Sequence, residues 1–162
     1  MKNIVLLFLL MIMFSCNDQS GKIKALEKKI DNLEKELSET YKPGFGELMT
    51  GVQAHHSKLW FAGEHTNWEL ASFEVKELNE ILDDILKYQK DREETKLIEM
   101  VDPALERVKE AITKKDHNLF KKTYSELTKS CNDCHKLTNF QYNIVKIPDT
   151  SPFTNQDFSI KE

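Results

Sequence analysis

Cysteine is scarce in this sequence, with three residues in 162 at Cys16, Cys131 and Cys134. A chain this poor in thiols that still sets two of them three apart needs a specific reason for doing so. Excess positive charge is also absent: 23 basic side chains face 27 acidic ones. No cationic stripe therefore exists for counterion release, and nucleic acid is not an expected partner. There is no Ser-His-Asp candidate, no Gly-rich phosphate loop and no HExxH, and the carboxylates are spread along polar faces. Catalytic turnover is not expected. What remains is a chain 40% hydrophobic and 31% charged, enough for one compact core and too little for two.

The N-terminus has the pattern of an export signal. Lys2 precedes an apolar run over residues 4–14 that is too short to cross a bilayer as a permanent helix. It ends at Ser15-Cys16, which resembles the lipobox of bacterial lipoproteins, although Met13 stands where leucine is usual. The resemblance implies removal of residues 1–15, a lipid on Cys16 and a protein tethered in the cell envelope, facing the periplasm or the cell surface. A soluble secreted protein cut nearby is the alternative.

Residues 16–43 then read as a lipid-anchored linker and a heptad helix. After a polar stretch, Ile23, Leu26, Ile30, Leu33 and Leu37 alternate at spacings of three and four, the a/d seam of a coiled coil. Lys22 and Lys29 fall at g, and Glu27 and Glu34 at e, so a parallel copy would set opposite signs across the seam. A homo-oligomeric stalk and a monomeric spacer helix are both open readings, because short isolated helices are marginal in water. Tyr41-Lys42-Pro43-Gly44 breaks the beat.

Residues 44–140 predict four helices, and the fold class is all-α: an antiparallel four-helix bundle preceded by a short coiled-coil-like helix. The first helix starts near Phe45, with Ala62-Gly63 as its stop. The second opens on a Thr66-Asn67-Trp68-Glu69 capping box and turns Leu70, Phe73, Leu78, Ile81, Leu82 and Ile85 inward. Its acidic stretch from Glu74 to Asp84 reads as a solvated face, or as one that steers a basic redox partner. Residues 90–96 form a charged turn. The third helix starts at Asp102-Pro103, cap plus first-turn proline, with Leu105, Val108 and Ile112 inward. The fourth runs from Asp116 through Phe120, Tyr124, Leu127, Cys131 and Cys134. Residues 141–162, with Pro148 and Pro152, form an irregular tail.

The paired thiols belong to Cys131-Asn132-Asp133-Cys134-His135. On a helix, positions i, i+3 and i+4 leave from one face. Two thiols there can add across porphyrin vinyl groups while the imidazole takes an axial position on the iron, so one covalent haem c is the leading cofactor. Three rivals remain: a dithiol redox pair, which lacks its βαβ context; a zinc site borrowing His55 and His56; and a short-loop disulfide of little stabilising value.

A bundle with a single CxxCH near the end of its last helix resembles the class II c-type cytochromes, the cytochrome c′-like proteins. The resemblance covers roughly residues 45–140. It implies that Cys131 and Cys134 carry thioethers, that His135 is the proximal ligand, and that the first helix meets the other side of the iron. Met49, Val52, His56 and Leu59 share one face of that helix. Met49 and His56 are about 10 Å apart along its axis, so at most one of them binds.

Met49 is the candidate sixth ligand and His56 (or His55) the alternative; a vacant site is the third case, and inward methionines are commonly core filler. A His/Met pair would favour electron transfer, and an open position would admit NO or CO. The functions in play are thus a tethered monohaem electron carrier with an unidentified redox partner, a haem-based gas-binding protein, or a haem-free zinc-binding or structural envelope lipoprotein. Trp60, Phe61 and Trp68 read as corner packing, Lys58 as a candidate partner for a haem propionate or a plain surface lysine, and His65 and His117 as exposed.

Overall fold

The computed structural model describes residues 2–160, with side chains at 19–37 and 40–160. Its helices are α1 (Lys2–Thr40), α2 (Phe45–Glu64), α3 (Trp68–Tyr88), α4 (Asp102–Lys114) and α5 (His117–Leu137). A 3-10 segment, Glu94–Val101, joins α3 to α4. No strand occurs among the described residues, so the fold is all-α. The chain divides into two units, Met1–Lys42 and Pro43–Glu162.

The first unit is α1. Its backbone stays helical through the polar residues 17–21, so the heptad helix is longer than its seam. Ile23, Leu26, Ile30, Leu33 and Leu37 are each between 52% and 67% exposed. The side chain of Cys16, and with it the lipidation site, lies outside the described residues. No helix among those residues is long and apolar enough to cross a membrane.

The second unit is the antiparallel bundle. α2 packs on α3 and α4 on α5, while the 3-10 segment lies against α5. Leu59, Ala62, Ala71, Val75, Leu78, Ile85, Leu105, Val108, Phe120, Tyr124 and Leu127 are almost fully buried; each large aliphatic or aromatic among them stabilises the fold by about 1.5–3 kcal/mol. Aromatic rings close one end: Trp60 lies 4.9 Å from Tyr124 and Trp68 6.0 Å from Phe120, centroid to centroid.

Several local expectations are corrected. Gly63 is not the stop of α2. That turn is a Schellman motif in which Asn67 N–H donates to the Ala62 carbonyl and Thr66 N–H to Gly63, with Thr66 itself left-handed at φ 53°. Gly63 instead makes room for a ring, since a Cβ there would sit 2.0 Å from Phe120 Cε1. The left-handed Thr66 cannot also cap the next helix, which needs an extended residue. Asn67 does so, its Oδ1 accepting from Leu70 N–H at 3.2 Å.

Phe73 is 51% exposed, because it lies about 200° around the helix from both Ala71 and Val75, at roughly 100° per residue. Glu74, expected in solvent, is 1% exposed and takes its place inside, accepting from His55 Nδ1 at 2.7 Å. Asp102 makes no cap, because Val101 before it is already helical in backbone (φ −80°, ψ −26°). The charged turn is shorter than expected, since the 3-10 segment carries Thr95, Ile98 and Val101 into the core. His117 is not free in solvent but lies 3.0 Å from a Glu64 carboxylate oxygen.

Candidate functional site

α5 is capped at its start by Asp116, whose side chain accepts from Leu119 N–H. It runs 21 residues, with Phe120, Thr123, Tyr124, Leu127 and Thr128 buried. That buried stripe continues into the cysteine motif. Cys131 is partly buried and Cys134 buried, and both thiols are free.

Cys131, Cys134 and His135 open into one cleft with Met49, Val52 and His56 of α2, Leu78 and Leu82 of α3, Ile98 and Val101 of the 3-10 segment, Leu105 of α4 and Leu127 of α5. This inner part has a volume of about 40 Å³. Two outer parts, about 220 and 150 Å³, share Met49 and His135 with it. One is walled by residues 143–145 of the tail, the other by Phe45, Glu94, Thr138 and Phe140. Met49 and His135 border all three. The helical spacing of the motif and of the α2 face thus converges on one place.

The thiols sit in a desolvating setting that disfavours thiolate. Burial pushes Cys131 up to about 12, with the neighbouring Cys134 adding to it. Cys134 is raised as well, by burial first and then by the Glu94 carboxylate. A reactive dithiol needs the opposite environment. Among the described residues no three His, Cys, Asp or Glu side chains converge as a metal-ion cluster. The rival zinc ligands are engaged elsewhere, His55 with Glu74 and His56 as follows.

His56 is 4% exposed and held at both nitrogens. Nε2 lies 3.0 Å from Thr128 Oγ1 and Nδ1 3.0 Å from the Tyr124 hydroxyl. That hydroxyl donates to the His56 carbonyl at 2.8 Å, and Thr128 Oγ1 lies 3.0 Å from the Tyr124 carbonyl. Tyr124, Thr128 and the neutral imidazole bring three protons to these four contacts; with the Tyr124 proton on the His56 carbonyl, Nδ1 carries the ring proton and Nε2 accepts from the Thr128 hydroxyl. Burial lowers the His56 pKa to about 4, leaving the ring neutral. Met49, by contrast, has no polar atom to satisfy and is partly buried in the cleft wall.

His135 is partly exposed. Its Nδ1 lies 2.6 Å from the Asn143 backbone carbonyl, a group that only accepts, so Nδ1 carries the proton. In the neutral ring Nε2 then keeps its lone pair, the state a metal-binding imidazole requires. Two thiols, a prepared imidazole and a thioether around an apolar cleft are a donor set that fits a covalently held haem.

Other sequence candidates lie off the site. Lys58 Nζ sits 5.1 Å above the Phe153 ring. Trp60 and Trp68 pack at the far aromatic corner, and Phe61 meets Phe158 at 5.5 Å. His65 is exposed. The lining from the 3-10 segment was missed, although Ile98, Val101, Leu105 and Val108 continue one helical spacing across Pro103. The wall formed by residues 143–145 carries no such signal. Compared with known protein families, curated proteins and solved structures, the chain matches none of them.

Proposed function

We propose that this chain is a membrane-tethered, monohaem c-type cytochrome of the class II, cytochrome c′-like kind, carrying single electrons outside the cytoplasm. The observation that carries the reading is the convergence of Cys131, Cys134, His135 and Met49 on one apolar cleft. Cys131 and Cys134 would hold the haem, His135 Nε2 would be the proximal ligand and Met49 the sixth. When bound, the haem iron supplies one-electron exchange between its ferric and ferrous states.

The chain's own residues set the conditions for that exchange. Leu78, Leu82, Ile98, Val101, Leu105 and Leu127 keep water from the cleft, and a dry, soft-ligand site favours the reduced state. His56 lines the cleft without adding a charge. Its two ring contacts speak against it as the sixth ligand, since turning Nε2 to a metal would give up the Thr128 contact and pull the ring from the Tyr124 hydroxyl. The lipobox-like Ser15-Cys16 supports tethering at Cys16 in the cell envelope, and the uncovered α1 seam with its g/e charges supports a parallel homodimer.

Optical spectra of the purified mature protein test the reading. A low-spin ferrous spectrum unmoved by CO is expected, and Met49→Ala is expected to convert it to a high-spin, CO-binding one. A high-spin wild-type spectrum shifted by CO would replace electron transfer with gas binding. Native protein with no Soret band and two unmodified thiols would overturn the haem reading altogether.

A further inference from the structure

The tail beyond α5 is tied to the cysteine motif by Asn132, one of the two residues between the cysteines. Its Oδ1 accepts from Val145 N–H at 2.8 Å and its Nδ2 donates to the Val145 carbonyl at 2.8 Å. The side-chain amide thus reads both backbone groups of Val145, as a neighbouring strand would. Nδ2 also reaches the Thr128 carbonyl at 3.1 Å.

The intervening chain is folded back by another left-handed turn. Asn139 sits at φ 66°, where asparagine is tolerated better than most residues. Phe140 N–H donates to the His135 carbonyl at 2.7 Å, and Asn143 N–H to the Phe140 carbonyl at 2.8 Å. His135 therefore meets the returning chain twice, through its own carbonyl and through Nδ1 to the Asn143 carbonyl at 2.6 Å. Asn143 itself is exposed. The Asn132 clamp, two residues further on, is the nearest side-chain anchor of that carbonyl.

We propose that Asn132 is a positioning residue for His135. It holds residues 143–145 so that the Asn143 carbonyl fixes the imidazole with the proton on Nδ1 and the lone pair on Nε2. This rests on the haem reading for its functional meaning but not for its geometry. A carbonyl on the far nitrogen makes a ligating imidazole more basic and favours the oxidised metal. Losing such outer partners commonly costs 10-fold or more at the metal. For a one-electron couple a tenfold change in relative affinity equals about 59 mV.

The test begins with full-length protein produced without haem, where nitrogen-15 chemical shifts report the His135 tautomer. The wild type is expected to hold the Nδ1–H form, and Asn132→Leu to relax to a mixture. Val145→Pro removes the N–H that Asn132 accepts without touching α5, and is expected to release the same ring. In haem-loaded protein both variants are expected to raise the reduction potential by about 59 mV, for a tenfold loss of preference for ferric iron.

A wild-type ring without tautomer preference, or an Asn132→Leu ring still fixed at Nδ1–H, would overturn the proposal. So would loaded variants with the wild-type potential. A fixed, Asn132-dependent tautomer in a protein that never acquires haem would leave the clamp standing and remove the function proposed above.

Discussion

At the scale of single residues, His56 is the most informative side chain outside the cysteine motif. Folding buries it neutral, with a pKa lowered to about 4 from an ordinary 6.5. As pH falls the unfolded chain takes up its proton first. The stability contributed by keeping this ring neutral is therefore complete above about pH 6.5 and is lost progressively toward pH 4, a span equivalent to about 3 kcal/mol. Urea midpoints measured from pH 7.5 to 4 should show that decline. The same series on His56→Gln should be flatter, starting from a lower plateau because Tyr124 and Thr128 lose part of their network. His56 was legible as an inward residue from its spacing with Met49, Val52 and Leu59. Its partners were not, since nothing in a sequence states that Tyr124 and Thr128 of the last helix lie opposite.

Among the helices, periodicity carried most of the fold and local stop signals carried less. The inward runs of α4 and α5 follow directly from apolar spacing. The ends were misread where one residue had two readings: Thr66 resembled a cap and is the left-handed exit of α2, while Gly63 resembled an exit and is a seat for Phe120. Glu74 deceived for a different reason, because its burial depends on His55 across the bundle, and a carboxylate in an acidic stretch gives no local sign of such a partner. For α1 the decisive question is what covers the seam. In a parallel pair Lys22 and Lys29 meet Glu27 and Glu34 of the other copy. Sedimentation of the full chain should show a dimer that Leu26→Lys with Leu33→Lys converts to monomer without altering the bundle's unfolding midpoint. A monomeric wild type across the micromolar range would leave α1 as a spacer.

For the whole molecule, the tail over residues 141–160 does more than decorate the bundle. Phe158 is 5% exposed and packs on Phe61, and its carbonyl accepts from Asn67 Nδ2 at 3.2 Å. Phe158→Ala should cost about 3 kcal/mol or more in urea unfolding; a loss below about 1 kcal/mol would mean that the tail merely rests on the surface. An irregular segment lacks a repeating pattern, so its docking could not be read ahead of the structure, and the 143–145 wall of the cleft went unseen with it.

One further consequence comes from the depth of Cys134, which is 6% exposed, beside a 40 Å³ hollow. Cys134 also borders the outer part of about 150 Å³, and neither space has room for a flat macrocycle as the helices stand. Under the cytochrome reading, the helices around Cys134 must therefore stand further apart when the prosthetic group is joined than they do here.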